Sequence, residues 1–190
     1  MVKLDKIYTR SGDRGKTRLS TGAPVEKWHP RVSAYGSVDE ANAALGVCVL
    51  HAEGEIANAL TRIQNDLFDL GADLATPDTG KKLEWEPLRI TPAQVSRLEG
   101  EIDAMNADIP PLDSFVLPGG SVLSAHLHVA RTVTRRAERQ IAELASLEGE
   151  RIGEAAVSYA NRLSDWLFVA SRAANENGAR DVKWVPGANR

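Results

Sequence analysis

Residues 56–74 read IANALTRIQNDLFDLGADL, and the apolar members Ile56, Leu60, Ile63, Leu67, Leu70 and Leu74 step by 4, 3, 4, 3 and 4 positions. That spacing lays one apolar seam along a single helix face, the pattern of a helix packed in a bundle. The helix should close at Thr76-Pro77, because proline cannot continue it. Upstream, Val32, Tyr35, Val38, Ala41, Leu45, Cys48 and Val49 predict a helix from Arg31 to near Gly54. Downstream, residues 76–90 form a linker, either a mobile loop or a crossover, before Thr91-Pro92 caps and opens a helix with Val95, Leu98, Ile102 and Met105 inside. A second break, Asp108 to Gly120, precedes a long helix from about Ser121 to Leu147 that buries Leu123, Leu127, Ala130, Thr134, Ala137, Ile141 and Leu144. A last helix is expected over Glu154 to Asn177, with Ala156, Tyr159, Leu163, Trp166, Leu167 and Ala170 inward. The expected fold is an all-α five-helix bundle.

Composition agrees with that class. The chain has 190 residues, 43% hydrophobic and only 5% aromatic, and strands would enrich aromatic and β-branched residues. One domain is expected over 1–190, comprising an irregular N-terminal loop (1–30), the bundle (31–178) and a tail (179–190). A chain this long buries about 70% of its unfolded surface and needs no covalent staple. The single Cys48 can form no internal disulfide and no cysteine zinc cluster; on an apolar helix face it reads as packing. With 26 acids against 23 bases, the net charge of -3 argues against a nucleic-acid partner held by overall positive charge. No run is long enough for a membrane span, and the opening MVKLDKIYTR lacks a signal-peptide core, so a cytoplasmic protein without membrane contact is expected.

Cations gather in two places. Thr9-Arg10-Ser11-Gly12-Asp13-Arg14-Gly15-Lys16-Thr17 combines hydroxyls, glycines and positive charge, which is either a basic surface turn or a cradle for a polyphosphate. It is not a Walker loop, because Arg10 stands where that motif needs its first glycine. Arg131, Arg135 and Arg139 follow one another at intervals of four, with Arg136 and Glu138 beside them. They form either a solvated helix face or an anion site at the edge of the core. Asp39, between Val38 and Ala41, is either a partly exposed helix acid or half of an ion pair with that arginine strip. Phe115, one of three phenylalanines, lies in a proline-flanked loop, where it is a loop anchor or a movable apolar plug. Asn161, Arg162 and Asp165 share a turn of the last helix and read by themselves as interhelical polar contacts. No serine elbow and no metal-ligand spacing is present, so the nucleophile of any reaction should come with a substrate or cofactor.

Taken in order, Ile7–Asp13, Ala34–Asn42, Phe115–Gly120, Ala130–Arg139 and Asn161–Asp165 resemble the PduO-type ATP:cob(I)alamin adenosyltransferases. The resemblance implies a homotrimer with ATP and the corrinoid between neighbouring subunits, and transfer of the 5'-deoxyadenosyl group of ATP to cobalt with release of triphosphate. It implies a nucleotide-binding role for Thr9, Arg10, Ser11, Gly12, Thr17, Arg18 and Lys27 in the N-terminal loop. On the helices it implies the same role for Arg131, Arg135, Arg136, Glu138, Arg139 and Asn161, with Mg2+ accompanying ATP near Glu138. Asp39 would pair with Arg135 across the subunit boundary, and Phe115 would close the lower face of the corrin. A cobalamin reductase and an adenosylcobalamin-dependent mutase are the expected partners. The competing reading is a non-catalytic helical module that senses or delivers ATP or cobalamin.

Overall fold

The computed structural model describes residues 7–190; residues 1–6, which belong to the N-terminal loop and to the stretch read against a signal peptide, lie outside it. In chain order the elements are β1 (Lys16–Arg18), β2 (Pro24–Glu26), α1 (Pro30–Val49), α2 (Gly54–Leu74), α3 (Pro92–Asn106), β3 (Val116–Leu117), α4 (Val122–Ser146), α5 (Glu154–Ala173) and β4 (Val182–Lys183). The five helices form the expected all-α bundle. α1 packs between α2 and α4, α5 packs on α4, and α3 covers the outer side of α5. None of the described helices is long and apolar enough to cross a membrane.

The seam of residues 56–74 supplies the middle of the core. Leu60, Ile63, Leu67, Leu70 and Leu74 are buried, and they meet Leu45, Leu127, Ile141, Leu144, Tyr159, Leu163, Trp166 and Leu167 from the other helices. Each such aliphatic side chain contributes about 1.5–3 kcal/mol by leaving water. On α3 only Leu98 is buried, whereas Val95, Ile102 and Met105 are partly covered, because this helix lies at the rim of the bundle. Its start follows the expected chemistry: Thr91 precedes Pro92, and Gln94 Oε1 accepts from the Thr91 backbone N–H at 2.9 Å.

Two helices end sooner than their apolar periodicity suggests. α1 stops at Val49 and passes through a tight turn, and Gly54, at φ 57°, opens α2 instead of closing α1. α5 stops at Ala173 because Glu176 and Asn177 turn into the left-handed region at φ 56° and 52°. The four short strands were not expected. β1 and β2 pair antiparallel, turning part of the N-terminal loop into a hairpin, and β3 pairs with β4, which ties the C-terminal tail to the loop before α4.

Candidate active site

The hairpin is docked by its far end. Leu19 is buried, and Ser20 donates its backbone N–H to Ala75 O at 3.1 Å and its hydroxyl to Thr76 Oγ1 at 2.8 Å, at the end of α2. The Tyr35 phenol of α1, whose pKa is raised by burial, lies near Thr17 of β1. At the near end, the Lys27 backbone N–H donates to Gly15 O at 2.9 Å. A Cβ on Gly12 would stand 3.2 Å from Lys27 Nζ, so glycine leaves room for the ammonium against the backbone. Thr9 and Ser11 share a hydroxyl hydrogen bond of 2.7 Å, and Arg10 is held at φ 60° with its guanidinium over the Tyr8 ring. Thr9, Arg10, Ser11, Gly12 and Lys27 therefore crowd one end of the hairpin. Arg18 instead turns to Gly22 O at 2.8 Å and closes the other end, while Lys16 is offset by Glu26 across the strands.

Helix α4 carries the second group of cations. Arg131 is half-buried beside the Phe168 ring, and its Nε has no hydrogen-bond partner. Burial, and then the neighbouring Arg135, pull its pKa below the ordinary guanidinium value. Arg135 and Arg139 are exposed, and among the described residues no carboxylate pairs with Arg131, Arg135 or Arg139. Arg136 pairs with Glu40 of α1, and Glu138 accepts from Asn161 Nδ2 at 2.8 Å. Arg162 bonds Glu99 at 3.0 Å and Asp165 at 2.9 Å, the interhelical role that its position alone suggested. Asp39 is exposed on α1. Among the described residues no hydrogen bond or ion pair joins the hairpin's cations to the α4 strip.

Phe115 is 78% exposed, so it is not a core anchor. Its ring lies 6.1 Å from that of Trp184, and together with Leu112, Ser114 and Pro186 the two rings line a shallow recess of about 450 Å3. Trp184 went unnoticed in the sequence. The one hint was Val182 and Trp184 flanking Lys183, too short an alternation to mark a strand. Cys48 is fully buried, and burial pushes its thiol up to about 11 from an ordinary 9.0. The folded protein should therefore resist a disulfide reagent at about pH 8 and react only once unfolded; rapid labelling of the native state would overturn this. The same shift stabilises the fold fully below 9.0 and is lost as pH rises towards 11. No group of three or more His, Cys, Asp or Glu side chains is placed to hold a metal ion among the described residues.

These features define a helical bundle that displays two groups of cations and, among the described residues, no cluster of three or more metal-ligating side chains. Residues 7–174 match the sequence profile of the cobalamin adenosyltransferases. The chain is 51% identical to the corrinoid adenosyltransferase of Mycobacterium tuberculosis (strain CDC 1551 / Oshkosh), covering 100% of this chain and 97% of the relative. It is 40% identical to that of Bacillus subtilis (strain 168), over 96% and 94% of the two chains. Among solved structures, a phenylalanine-to-histidine variant of a PduO-type ATP:corrinoid adenosyltransferase from Lactobacillus reuteri, complexed with cobalamin and ATP, superposes with a TM-score of 0.84 at 40% identity, covering 95% of this chain and 97% of that one. An arginine-to-lysine variant of the same protein, complexed with ATP, gives 0.82 at 40% identity, over 94% and 100%. The chain belongs to the cobalamin adenosyltransferase family. It is an enzyme that transfers an adenosyl group to a corrinoid.

Proposed function

We propose that the chain transfers the 5'-deoxyadenosyl group of ATP to the cobalt of cob(I)alamin at sites completed between the subunits of a cytoplasmic homotrimer. The observation that carries this reading is the separation of the two cation groups. Arg10 and Lys27 at the hairpin and Arg135 and Arg139 on α4 are exposed and have no carboxylate partner among the described residues, and a triphosphate lying between them would satisfy both groups. In the reaction, the Co(I) electron pair attacks the ribose 5'-carbon, and the bond from that carbon to the triphosphate oxygen breaks with its pair going to triphosphate. Cobalt is oxidised formally to Co(III). Since the corrinoid is the nucleophile, the protein has only to align the 5'-carbon and offset the charge gathering on the leaving group.

Arg10 and Lys27, with the Thr9, Ser11 and Thr17 hydroxyls and the Gly12 backbone, hold the phosphates from the hairpin; Arg18 joins them only by releasing Gly22 O. Arg135, Arg136 and Arg139 act from α4, and Asn161 orients Glu138. Mg2+ takes most of its ligands from phosphate oxygens and water and needs only one or two carboxylates, so Glu138 suits it without a protein cluster. When bound, the ion would supply further charge neutralisation on triphosphate.

The subunit contact is supported by the paired faces of α1 and α4. Val47 and Leu50 continue the Asp39 stripe at helical spacing, and Val122 and Val129 are exposed on α4. Asp39 meets the arginine strip of the neighbouring subunit there. Beside Arg135, Arg131 competes for that carboxylate, because its guanidinium is already partly desolvated and lacks an anion. A cobalamin reductase to deliver Co(I) and an adenosylcobalamin-dependent mutase to use the product are the partner classes that this chemistry calls for.

Anaerobic incubation of cob(I)alamin with ATP and Mg2+ should yield adenosylcobalamin, followed by absorbance, and an equal amount of triphosphate. Binding of either substrate without turnover would convert the reading to a sensor or delivery module. Asp39→Asn is expected to lower kcat on the order of 10-fold with little change in KM for ATP. Unchanged turnover would make Asp39 a plain surface acid.

A further inference from the structure

We infer that Asp181, in the C-terminal tail, is a positioning residue that fixes the loop carrying Phe115. This rests on the reading in which Phe115 closes the lower face of the corrin. Arg172, Asn175 and Asp181 form a buried knot beyond the end of α5. The side chains of Arg172 and Asp181 are 8% and 4% exposed. Asp181 Oδ2 accepts from Arg172 Nε at 2.8 Å, and its Oδ1 accepts from Asn175 Nδ2 at 3.1 Å. One carboxylate thus orients two clamps.

The clamps grip both ends of the loop. Arg172 Nη2 donates to Pro110 O at 2.9 Å, before Phe115. After it, Asn175 Nδ2 donates to Gly119 O at 3.2 Å, and Asn175 Oδ1 accepts the Ser121 N–H at 2.9 Å. The middle is held by the same tail: the Trp184 N–H donates to Phe115 O at 2.8 Å, and Ser114 Oγ donates to Trp184 O at 2.8 Å. Gly120 shows how closely the knot is seated. It has φ 95°, and a Cβ there would overlap the Asn175 amide.

The hydrogen-bond pattern makes the acid specific. Because Asn175 Oδ1 is committed to Ser121, its Nδ2 must face residue 181, and an asparagine at that position cannot satisfy both neighbours. If its oxygen accepts from Arg172, its own NH2 confronts the Asn175 NH2. Asp181→Asn should therefore release the loop while keeping side-chain size.

The experiment compares wild type, Asp181→Asn and Phe115→Ala by hydrogen exchange of the 114–121 amides and by turnover. Asp181→Asn is expected to speed exchange across that segment at least 10-fold and to lower kcat, with KM for ATP nearly unchanged. Phe115→Ala should lower kcat without speeding exchange. Wild-type exchange in Asp181→Asn would overturn the proposal, and so would faster exchange with unaltered kcat. Full activity of Phe115→Ala would instead refute the corrin role of Phe115, leaving the Asp181 result to be judged on its own two readouts. Should Asp181→Asn fail to fold because it strands the Arg172 charge, the double variant Arg172→Met with Asp181→Leu removes both charges and must show the same pair of changes.

Discussion

Replacing Phe115 by alanine is expected to lower turnover on the order of 10²-fold, with the fold and ATP binding intact. The ring is largely exposed and touches no core residue, so its removal should shift stability by no more than about 0.5 kcal/mol. Its value lies in where the loop presents it. In the reading where Phe115 closes the lower face of the corrin, cob(II)alamin would lose its lower axial ligand there before it is reduced to the Co(I) nucleophile, since the four-coordinate ion accepts an electron more readily. A ring pressed against that face would displace the ligand and keep water out, and alanine would be too short to do either. Electron paramagnetic resonance of cob(II)alamin bound with ATP reads the step directly. The wild type should show four-coordinate Co(II), and Phe115→Ala should show the axially ligated form. A full four-coordinate signal in the variant would refute the assignment.

The largest effect on stability is expected at Asp66, which no reading of function involves. It is 6% exposed among apolar side chains of α2, α3 and α5. Its carboxylate pairs with Arg97 and accepts from Gln94 Nε2 at 3.0 Å and Tyr159 Oη at 2.9 Å. Burial, followed by the adjacent Asp66 charge, pushes the Tyr159 phenol far above its ordinary pKa, so it stays a proton donor. Asp66→Ala would leave the buried Tyr159 phenol and the Gln94 amide without their acceptor and deprive Arg97, 32% exposed and 3.9 Å from Glu101, of its nearer partner, at a cost of about 2–4 kcal/mol. That is a large share of the roughly 5–15 kcal/mol that holds a domain folded. Tyr159→Phe removes only one partner and should cost about 1–2 kcal/mol. Urea denaturation of both variants tests the order, and a loss below about 1 kcal/mol for Asp66→Ala would refute the account.

Asp66 also shows what periodicity leaves out. It stands three residues after Ile63, at an inward position, but a pattern of apolar residues passes over an acid. The helices themselves were legible because their seams repeat over many turns, and Thr91-Pro92 announced the start of α3. The strands were not, since two or three residues are too few for alternation to register. The early end of α5 escaped because Glu176 already turns left-handed where the apolar pattern still reads as helix, while Asn175 is taken up by a loop more than fifty positions away. Of the candidate site, the residues were legible as chemistry and as family blocks: hydroxyls and cations near the N-terminus, arginines at intervals of four, one phenylalanine in a loop. Their arrangement was not. Arg18 closes a hairpin, Arg136 meets Glu40, and Arg131 sits partly desolvated, all outcomes of tertiary packing that spacing cannot convey.

The stitching of the loop before α4 has a practical side. Its grips fall on the carbonyls of Pro110, Phe115 and Gly119, the N–H of Ser121 and the Ser114 hydroxyl, and none uses the side chain at position 115. That residue is a tip on a fixed mount. Exchanging it for another ring, a metal-ligating imidazole or an unnatural aromatic should leave the mount in place, so in the proposed role position 115 would offer a way to tune the environment of a corrin without redesigning the bundle that carries it.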